Sequence, residues 1–404
     1  MIALRVALFA ALLAASGVAR GQQVDASDVA PPLRPAVTAY RAGDLAAAEA
    51  AFRALAAGDP DAEAWYGAVL LDRGSDREGL RRIQHAADAG SSEGAHRLAL
   101  VYAQGLAGTP RNDSRAVELF EKAAAAGHVR AQINLGILYL RGQGTPADLI
   151  QARAWLEKAA VSGDPQALYT LGRALSESAG QAVADPVRAA DLYRRAAEKG
   201  HALAGLRYGL ALSEGAGIKR DPVAAQRWLK QAQESGMPEA ALAMGDMAAR
   251  TPASRDKAAN EKVVQSALSW YQVAADGGVP SAQFKIANAY FAGVGVPRDP
   301  AQALLWYGRA AQQGLPQAQH ALGIMLIGGI AGTSDPVEGY KWLVLAEQGG
   351  NPDSRVVREK AAEQIAVPDR KRAEALAQRF APTLERPIDD GATRTNAPRT
   401  PSNR

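Results

Sequence analysis

A glycine that recurs every 36 or 37 residues constrains the fold of this 404-residue chain more than any other feature. It closes the pattern Ala-Ala-x-x-Gly or a close variant, and successive copies are separated by 37, 36, 37, 36, 42, 36 and 36 residues. These marker glycines are Gly90, Gly127, Gly163, Gly200, Gly236, Gly278, Gly314 and Gly350. A period of this length is the signature of a repeat architecture, in which each unit stacks on the next.

Other positions keep the same register. Four residues after a marker the residue is small, eight after it is bulky, and nine after it is glycine or alanine. These offsets share one face of a helix. A glycine beside a bulky residue lets a neighbouring helix approach closely, which explains its presence despite a helix-propensity cost of about 1 kcal/mol. The offset-nine residues are Ala99, Gly136, Gly172, Gly209, Gly245, Ala287 and Gly323.

A second helix follows in each repeat. Glycine-rich turns at 142–144, 215–217 and 293–295 end the first helix, and an aspartate, followed by proline, then caps the second one. The second helix ends at the marker glycine, a position typical of helix C-termini. The capping aspartates are Asp185, Asp221, Asp299 and Asp335. Tryptophans that we interpret as inter-repeat core lie eight residues before a marker, at Trp155, Trp228, Trp270, Trp306 and Trp342. The predicted fold is all-α, a right-handed α-α solenoid of helix pairs.

The repeat unit resembles the Sel1-like repeat family, which is related to tetratricopeptide repeats. The stretches AQINLGILYLRGQG and ARAWLEKAAVSG carry the resemblance, as does AQFKIANAYFAGVGVPRDPAQALLWYGRAAQQG. The resemblance implies seven Sel1-like repeats over residues 90–350. The unit from 237 to 278 departs from the pattern because residues 250–263 carry about six additional residues, where we expect a bend or loosening. The unit from 164 to 200 lacks its turn glycines.

The two ends of the array differ from the repeats. Residues 36–89 resemble a divergent tetratricopeptide unit and are predicted to form an N-terminal cap, after a linker at 22–35. Residues 351–382 are predicted to form two charged capping helices, with the break between them near Pro368. Solenoids need such polar closing elements to shield the last apolar face from water. Residues 383–404 are polar and proline-bearing, and we expect a disordered tail.

The N-terminus predicts export. Residues 1–21 combine Arg5, an apolar stretch at 6–15, and small residues Ala19 and Gly21 at the −3 and −1 positions of a cleavage site. The chain has no cysteine, so it has neither disulfides nor a thiol for a lipid anchor, and it contains no apolar run long enough to span a membrane. We therefore expect an exported, soluble, periplasmic protein, with secretion beyond the periplasm as the alternative.

The charge pattern and the motifs exclude several functions. The net charge is +4 with charges interspersed along helices, which is not the clustered basic surface of a nucleic-acid-binding protein. The five histidines show no metal-ligand spacing, and the sequence has no HExxH or GxSxG motif. One S-x-x-K match, Ser254 and Lys257, lacks its companion motifs. We predict no catalytic residues, no metal site and no cofactor.

A row of first-helix residues is the candidate binding surface. Six residues after each marker the chain carries apolar or aromatic residues on the side away from the offset-eight face. In repeats of this architecture that side lines the concave surface, so an apolar strip there predicts a protein or peptide groove. Packing between neighbouring helices is the alternative explanation. The predicted groove residues are His96, Ile133, Tyr169, Phe284, Phe291 and His320.

The predicted function is that of a non-catalytic periplasmic interaction scaffold or regulator, whose concave groove binds a protein or peptide partner of the cell envelope. A cell-wall or β-lactam-acting enzyme or glycan-binding protein is the alternative, with Ser254 as its only candidate nucleophile. A third hypothesis is a secreted effector that acts on a host.

Overall fold

A computed structural model describes residues 29–177, 184–252, 254–332 and 334–385. Within these ranges the regular structure is one 3-10 helix, Pro31–Leu33, and twenty α-helices, and no strand is present there. The predicted signal peptide and most of the predicted tail lie outside the described residues. The chain divides into two compact units, unit 1 up to Ala204 and unit 2 from Gly205 onward, and each is described by itself.

The helix bounds follow the predicted repeat. Unit 1 contains α1 (Arg34–Arg41), α2 (Leu45–Leu55), α3 (Pro60–Asp72), α4 (Asp76–Asp88), α5 (Ser92–Gln104), α6 (Asp113–Ala125), α7 (Val129–Arg141), α8 (Leu149–Val161), α9 (Pro165–Glu177) and α10 (Pro186–Glu198). Helix α11 (Ala202–Glu214) begins at the end of unit 1. Unit 2 continues with α12 (Pro222–Glu234), α13 (Pro238–Ala249), α14 (Lys257–Asp276), α15 (Pro280–Ala292), α16 (Pro300–Gln312), α17 (Pro316–Gly328), α18 (Pro336–Gln348), α19 (Pro352–Ala362) and α20 (Val367–Gln378).

Consecutive helices pack in pairs within each unit. The first helix of a repeat packs most extensively on the second helix that follows it, as α5 does on α6 and α15 on α16. The second helix then packs on the first helix of the next repeat, as α6 does on α7. The prediction of an all-α solenoid of helix pairs is confirmed.

Local chemistry sets the helix ends. The side chains of Asp185, Asp221, Asp299 and Asp335 each accept a backbone N–H from the first turn of the following helix, and each is followed by proline at the first helical position. All eight marker glycines have φ between +73° and +91°, directly after a second helix. Because L side chains are strained in this left-handed region, glycine is the residue that allows the chain to turn there.

The offset-nine glycines bring the two helices of a repeat together. A Cβ added at Gly136 would lie 2.6 Å from Leu156, and one at Gly245 would lie 2.5 Å from the ring of Tyr271. Gly172, Gly209 and Gly323 face the equivalent residue of their own second helix, always seven positions before the next marker. The predicted role of these glycines in close helix approach is confirmed.

The N-terminal end is more ordered than its sequence indicates. The predicted linker at 22–35 includes the 3-10 helix and the start of α1, because Leu33 is buried in a core with Val37, Phe52 and Trp65. The cap predicted for residues 36–89 consists of four helices, α1 to α4. Trp65 stacks on Phe52 at a centroid separation of 5.7 Å and anchors this core.

The additional residues at 250–263 lengthen one second helix. Helix α14 has 20 residues, and its N-terminal half packs on the glycine turn of the next repeat. Gln265 Nε2 donates to the carbonyl oxygen of Gly295 at 2.6 Å, and a Cβ on Gly295 would meet Leu268 at 2.5 Å. These contacts come from residues just after the insertion, and the insertion itself supplies the first two turns of α14.

Helices α19 and α20 close the C-terminal end of unit 2. Ile365 and Ala373 form a buried cluster with Tyr340 and Leu343 of α18. The first three residues of the predicted tail, 383–385, are described and contact the repeats, and the Thr383 N–H donates to the carbonyl oxygen of Gln312 at 2.9 Å. The prediction of disorder for the rest of the tail concerns residues outside the described ranges.

The close approach at Gly245 predicts the effect of a single methyl group. Gly245→Ala should lower the free energy of unfolding by about 1–3 kcal/mol, because the Tyr271 ring is held by a 2.7 Å hydrogen bond to Asp246 and cannot move aside freely. The measurement is thermal and urea unfolding followed by circular dichroism.

The matched control is Gly308→Ala in α16, where a Cβ meets nothing within 4 Å. This change should be neutral or stabilise by up to about 1 kcal/mol through helix propensity. Equal effects of the two substitutions would show that propensity, and not close packing, governs the offset-nine position.

Candidate functional site

The candidate surface is the first-helix face, defined by the positions six, ten and thirteen residues after a marker. In unit 1 its offset-six members are buried: His96, Ile133 and Tyr169 are 3%, 5% and 3% exposed. The Tyr169 ring stacks on His201 at 4.7 Å and lies 6.0 Å from the ring of Tyr193. The structure corrects the prediction that these three residues line a groove. Neighbouring helices cover them, so they are packing residues.

In unit 2 part of the same face is accessible. Phe284 and His320 are half-buried, while Phe291 of α15 and Ile324 of α17 are each 36% exposed. Phe284 contacts the Tyr307 ring at 5.7 Å, and His320 Nδ1 lies 2.9 Å from Ser354 Oγ. Within residues 90–350, the two most exposed large apolar side chains of the face, Phe291 and Ile324, therefore lie on consecutive first helices.

Histidines one residue after a marker act as helix caps. His128 Nδ1 accepts the N–H of Ala131 at 3.2 Å, and His201 Nδ1 accepts that of Ala204 at the same distance. Each ring stacks on the offset-six residue of the preceding repeat, His128 on His96 at 4.4 Å. This repeated geometry agrees with a structural function for both histidines.

One group of side chains has the composition of a metal site. Ligand atoms of Glu93, His96 and His128 lie within 4.8 Å of one another, a proximity that sequence spacing does not reveal because the histidines belong to consecutive repeats. However, His128 Nδ1 is an acceptor, so its proton lies on Nε2, which faces Glu93 Oε2 at 3.0 Å. Arg97 Nε lies 2.5 Å from the other oxygen of Glu93. The carboxylate is already neutralised by cationic and N–H groups, so the geometry favours a structural ion-pair network.

Burial and charge shift the ionisation of this network. Burial, reinforced by His128, holds the pKa of His96 well below its ordinary value. Burial alone would raise the pKa of Glu93, but the Arg97 guanidinium and the His128 hydrogen bond outweigh it and lower that pKa. The Arg97 guanidinium also lies 3.7 Å above the Trp65 ring, which connects the network to the N-terminal cap.

The single S-x-x-K match lies in a turn. Ser254 Oγ accepts the N–H of Asp256 at 3.1 Å, and the Asn260 amide bonds both backbone groups of Ser254. The Lys257 side chain is 92% exposed and lies 3.9 Å from Glu261. Lys257 therefore points into solvent beside an acid and does not activate the serine, an arrangement that does not support nucleophilic catalysis.

No helix among the described residues combines the length and apolar character that crossing a membrane requires.

Comparison with protein families identifies the repeat. The Sel1 repeat matches more than half of the chain, in seven copies that agree with the predicted register. The fifth copy belongs to the repeat that carries the insertion, and its match covers only residues 261–279. The matched ranges are 92–128, 129–164, 165–201, 203–237, 261–279, 280–315 and 316–351.

Two solved structures share this architecture. The chain is 25% identical to c5321, a protective antigen of uropathogenic Escherichia coli strains, with a TM-score of 0.58 over 83% of this chain and 79% of that one. It is 29% identical to a Sel1 repeat protein from Oxalobacter formigenes, with a TM-score of 0.59 over 76% and 88% of the two chains.

Two curated relatives match in sequence. The chain is 30% identical to chitin synthase regulatory factor 3 of Schizosaccharomyces pombe over 54% of this chain. It is 33% identical to the ERAD-associated E3 ubiquitin-protein ligase component HRD3B of Arabidopsis thaliana over 26% of this chain. The matches span only 24% and 16% of these two relatives.

The buried histidine predicts a pH dependence. His96 titrates near pH 6.5 when unfolded and its pKa is lower in the folded chain, so the unfolded state binds more protons as the pH falls below about 6.5. The wild type should lose about 1–2 kcal/mol between pH 6.5 and pH 5, above the range where Glu93 titrates. His96→Gln, which keeps an acceptor for Asn134, should reduce this loss in urea titrations at both pH values.

Burial also lowers the pKa of His320, so His320→Gln should reduce the loss as well, but by less than His96→Gln, because His320 is only half-buried. An unchanged pH dependence in His96→Gln would mean that His96 does not titrate as its burial requires.

Proposed function

The chain belongs to the Sel1 repeat family, and from this premise we propose that it is a non-catalytic interaction scaffold or regulator that binds a protein or peptide. Seven repeats supply extended helical surfaces, the property on which solenoid proteins base binding. The names of the two relatives support this proposal, since one is a regulatory factor and the other a component of a ligase assembly. Because the matches cover less than a quarter of each relative's length, the support concerns the repeat module alone.

The accessible first-helix face of unit 2 is the observation that carries the proposal. Phe284 and Phe291 occupy offsets six and thirteen of α15, and His320 and Ile324 occupy offsets six and ten of α17. Large apolar groups kept partly exposed on equivalent faces of consecutive repeats are typical of an interaction surface. The proposed ligand is a protein segment that buries its own apolar side chains against these four residues.

The proposed location is the periplasm, and the proposed partner is a protein of the cell envelope. The support is the export pattern at residues 1–21 and the absence of cysteine from the sequence. The side-chain arrangement at Ser254 and Lys257 supports the non-catalytic assignment over the cell-wall enzyme.

The surface assignment predicts which substitutions weaken partner capture. Phe291→Ala combined with Ile324→Ala should reduce the amount of envelope protein crosslinked to the full chain by about tenfold, because both side chains are at the proposed contact. Quantitative mass spectrometry of crosslinked envelope fractions provides the measurement. Circular dichroism should be unchanged, since both side chains are partly exposed.

The control is Leu305→Ala combined with Val223→Ala, which removes exposed apolar groups from two second helices of unit 2, off the first-helix face. Tyr169→Ala is unsuitable as a surface probe, because Tyr169 is buried and its loss would destabilise the fold. If the test and control pairs reduce capture equally, or neither does, the surface assignment is wrong.

The proposed periplasmic location predicts the N-terminus of the mature protein. Expressed from its own start in a Gram-negative host, the chain should be cut after Gly21 and recovered from the periplasmic fraction beginning at Gln22. Ala19→Arg combined with Gly21→Arg should block cleavage, because the cleavage site needs small side chains. Recovery of an uncut wild-type chain in the cytosolic fraction would contradict export.

A further inference from the structure

A segment of the chain itself lies in extended form across the repeats of unit 2. This C-terminal strap, residues 380–385, follows α20 directly. The Phe380 ring packs edge-on against the Trp342 ring at 5.3 Å, and Pro382 lies over Gly314. The Thr383 N–H donates to the Gln312 carbonyl oxygen at the end of α16. The strap therefore runs from one repeat back to the preceding one.

The last residue of the strap, Glu385, forms hydrogen bonds with three side chains of unit 2. Arg309 donates to both oxygens of Glu385, at 2.8 and 2.6 Å, in the bidentate geometry that suits a guanidinium and a carboxylate. Gln283 Nε2 donates to Glu385 Oε2 at 2.8 Å, and the Glu385 N–H donates to Gln313 Oε1 at 3.3 Å. The hydrogen bonds from Arg309 lower the pKa of Glu385, which keeps it charged at neutral pH.

The groups that receive the strap are buried when the strap is in place. Gln283 is fully buried and Gln313 is 8% exposed. Gln283 Nε2 uses one hydrogen on the Ala275 carbonyl and the other on Glu385, and its Oε1 accepts from Gln313 at 2.9 Å. Removal of the strap takes away the partners of one Gln283 N–H and of Gln313 Oε1. Each such loss is costly in a buried site.

From this geometry we infer that Trp342, Gly314, Gln313, Arg309 and Gln283 form a binding site for an extended acidic peptide, and that the strap occupies this site in cis. The partner is a segment with an aromatic residue followed five positions later by Glu or Asp, as in the strap. The strap is then an internal competitor that this partner displaces. The site lies apart from the first-helix face, and the inference does not rest on the function proposed above.

The test uses the full chain and a defined probe. The probe is a peptide with the sequence of residues 379–385, fluorescein-labelled at its N-terminus and amidated at its C-terminus, so that Glu385 supplies the only carboxylate of the peptide itself, and the free dye serves as the blank. Phe380→Ala combined with Glu385→Gln in the protein should release the strap and tighten probe binding at least about tenfold relative to wild type, because a tethered competitor acts at an effective millimolar concentration. Fluorescence anisotropy measures both affinities.

Three controls distinguish binding at this site from non-specific binding. Adding Arg309→Ala to the released variant should weaken probe binding at least about tenfold, since the bidentate contact is lost. Lys158→Ala, at the equivalent position of a repeat in unit 1, should have no effect. A probe that carries Gln in place of Glu should bind as weakly as the normal probe binds the Arg309→Ala form.

Hydrogen exchange tests the strap without a probe. The Thr383 amide should be protected in the wild type and should exchange freely in the released variant, because its acceptor is the Gln312 carbonyl. Equal probe affinity of wild-type and released protein, full binding after Arg309→Ala, or an unprotected Thr383 amide in the wild type would each overturn the inference. A result of this kind leaves the test of Phe291 and Ile324 unaffected.

Discussion

The close contact between the two helices of a repeat is the constraint on which the rest of the structure depends. Where the offset-nine residue is glycine, it meets a leucine or tyrosine seven positions before the next marker, at a distance that leaves no room for a methyl group. This contact sets the separation of the two helices of a repeat. At the junction with the preceding repeat, Gln132, Gln283 and Gln319 each donate to the carbonyl eight residues earlier, at 3.1–3.2 Å.

The sequence predicts the helices well and their exposure poorly, for a physical reason. Capping aspartates and left-handed glycines act on the nearest backbone, so Asp299 and Gly314 can be interpreted without knowledge of the neighbours. Burial of the first-helix face depends on the next repeat. His128 and His201 cover His96 and Tyr169 with aromatic rings, whereas the equivalent position after Phe284 carries Leu315. The apolar period is the same in both cases, so the period alone cannot tell a buried face from a binding surface.

Repeats with the same backbone acquire different binding properties through single substitutions. The helix pair α7 and α8 carries Gln132, Trp155 and Lys158 where α15 and α16 carry Gln283, Trp306 and Arg309. In both pairs the cation lies over the tryptophan ring, at 3.9 and 4.4 Å. Only the arginine presents two parallel N–H groups, and it is the arginine that holds a carboxylate at both oxygens. The periodic positions thus build the scaffold, and the variable ones determine which polar groups each helix pair contacts.

Polar side chains at the junctions between repeats also oppose a slip in the stacking of the repeats. A stack of near-identical helix pairs can bury its apolar faces almost equally well after a slip by one repeat, so hydrophobic packing alone specifies register weakly. Polar bonds between adjacent repeats differ from one junction to the next: Glu93 with His128, Gln166 with His201, and His320 with Ser354. A slipped arrangement leaves such groups buried without their partners, at about 1–3 kcal/mol for each. These polar contacts therefore add to the preference for the native stacking order, which the short turns between consecutive helices already favour.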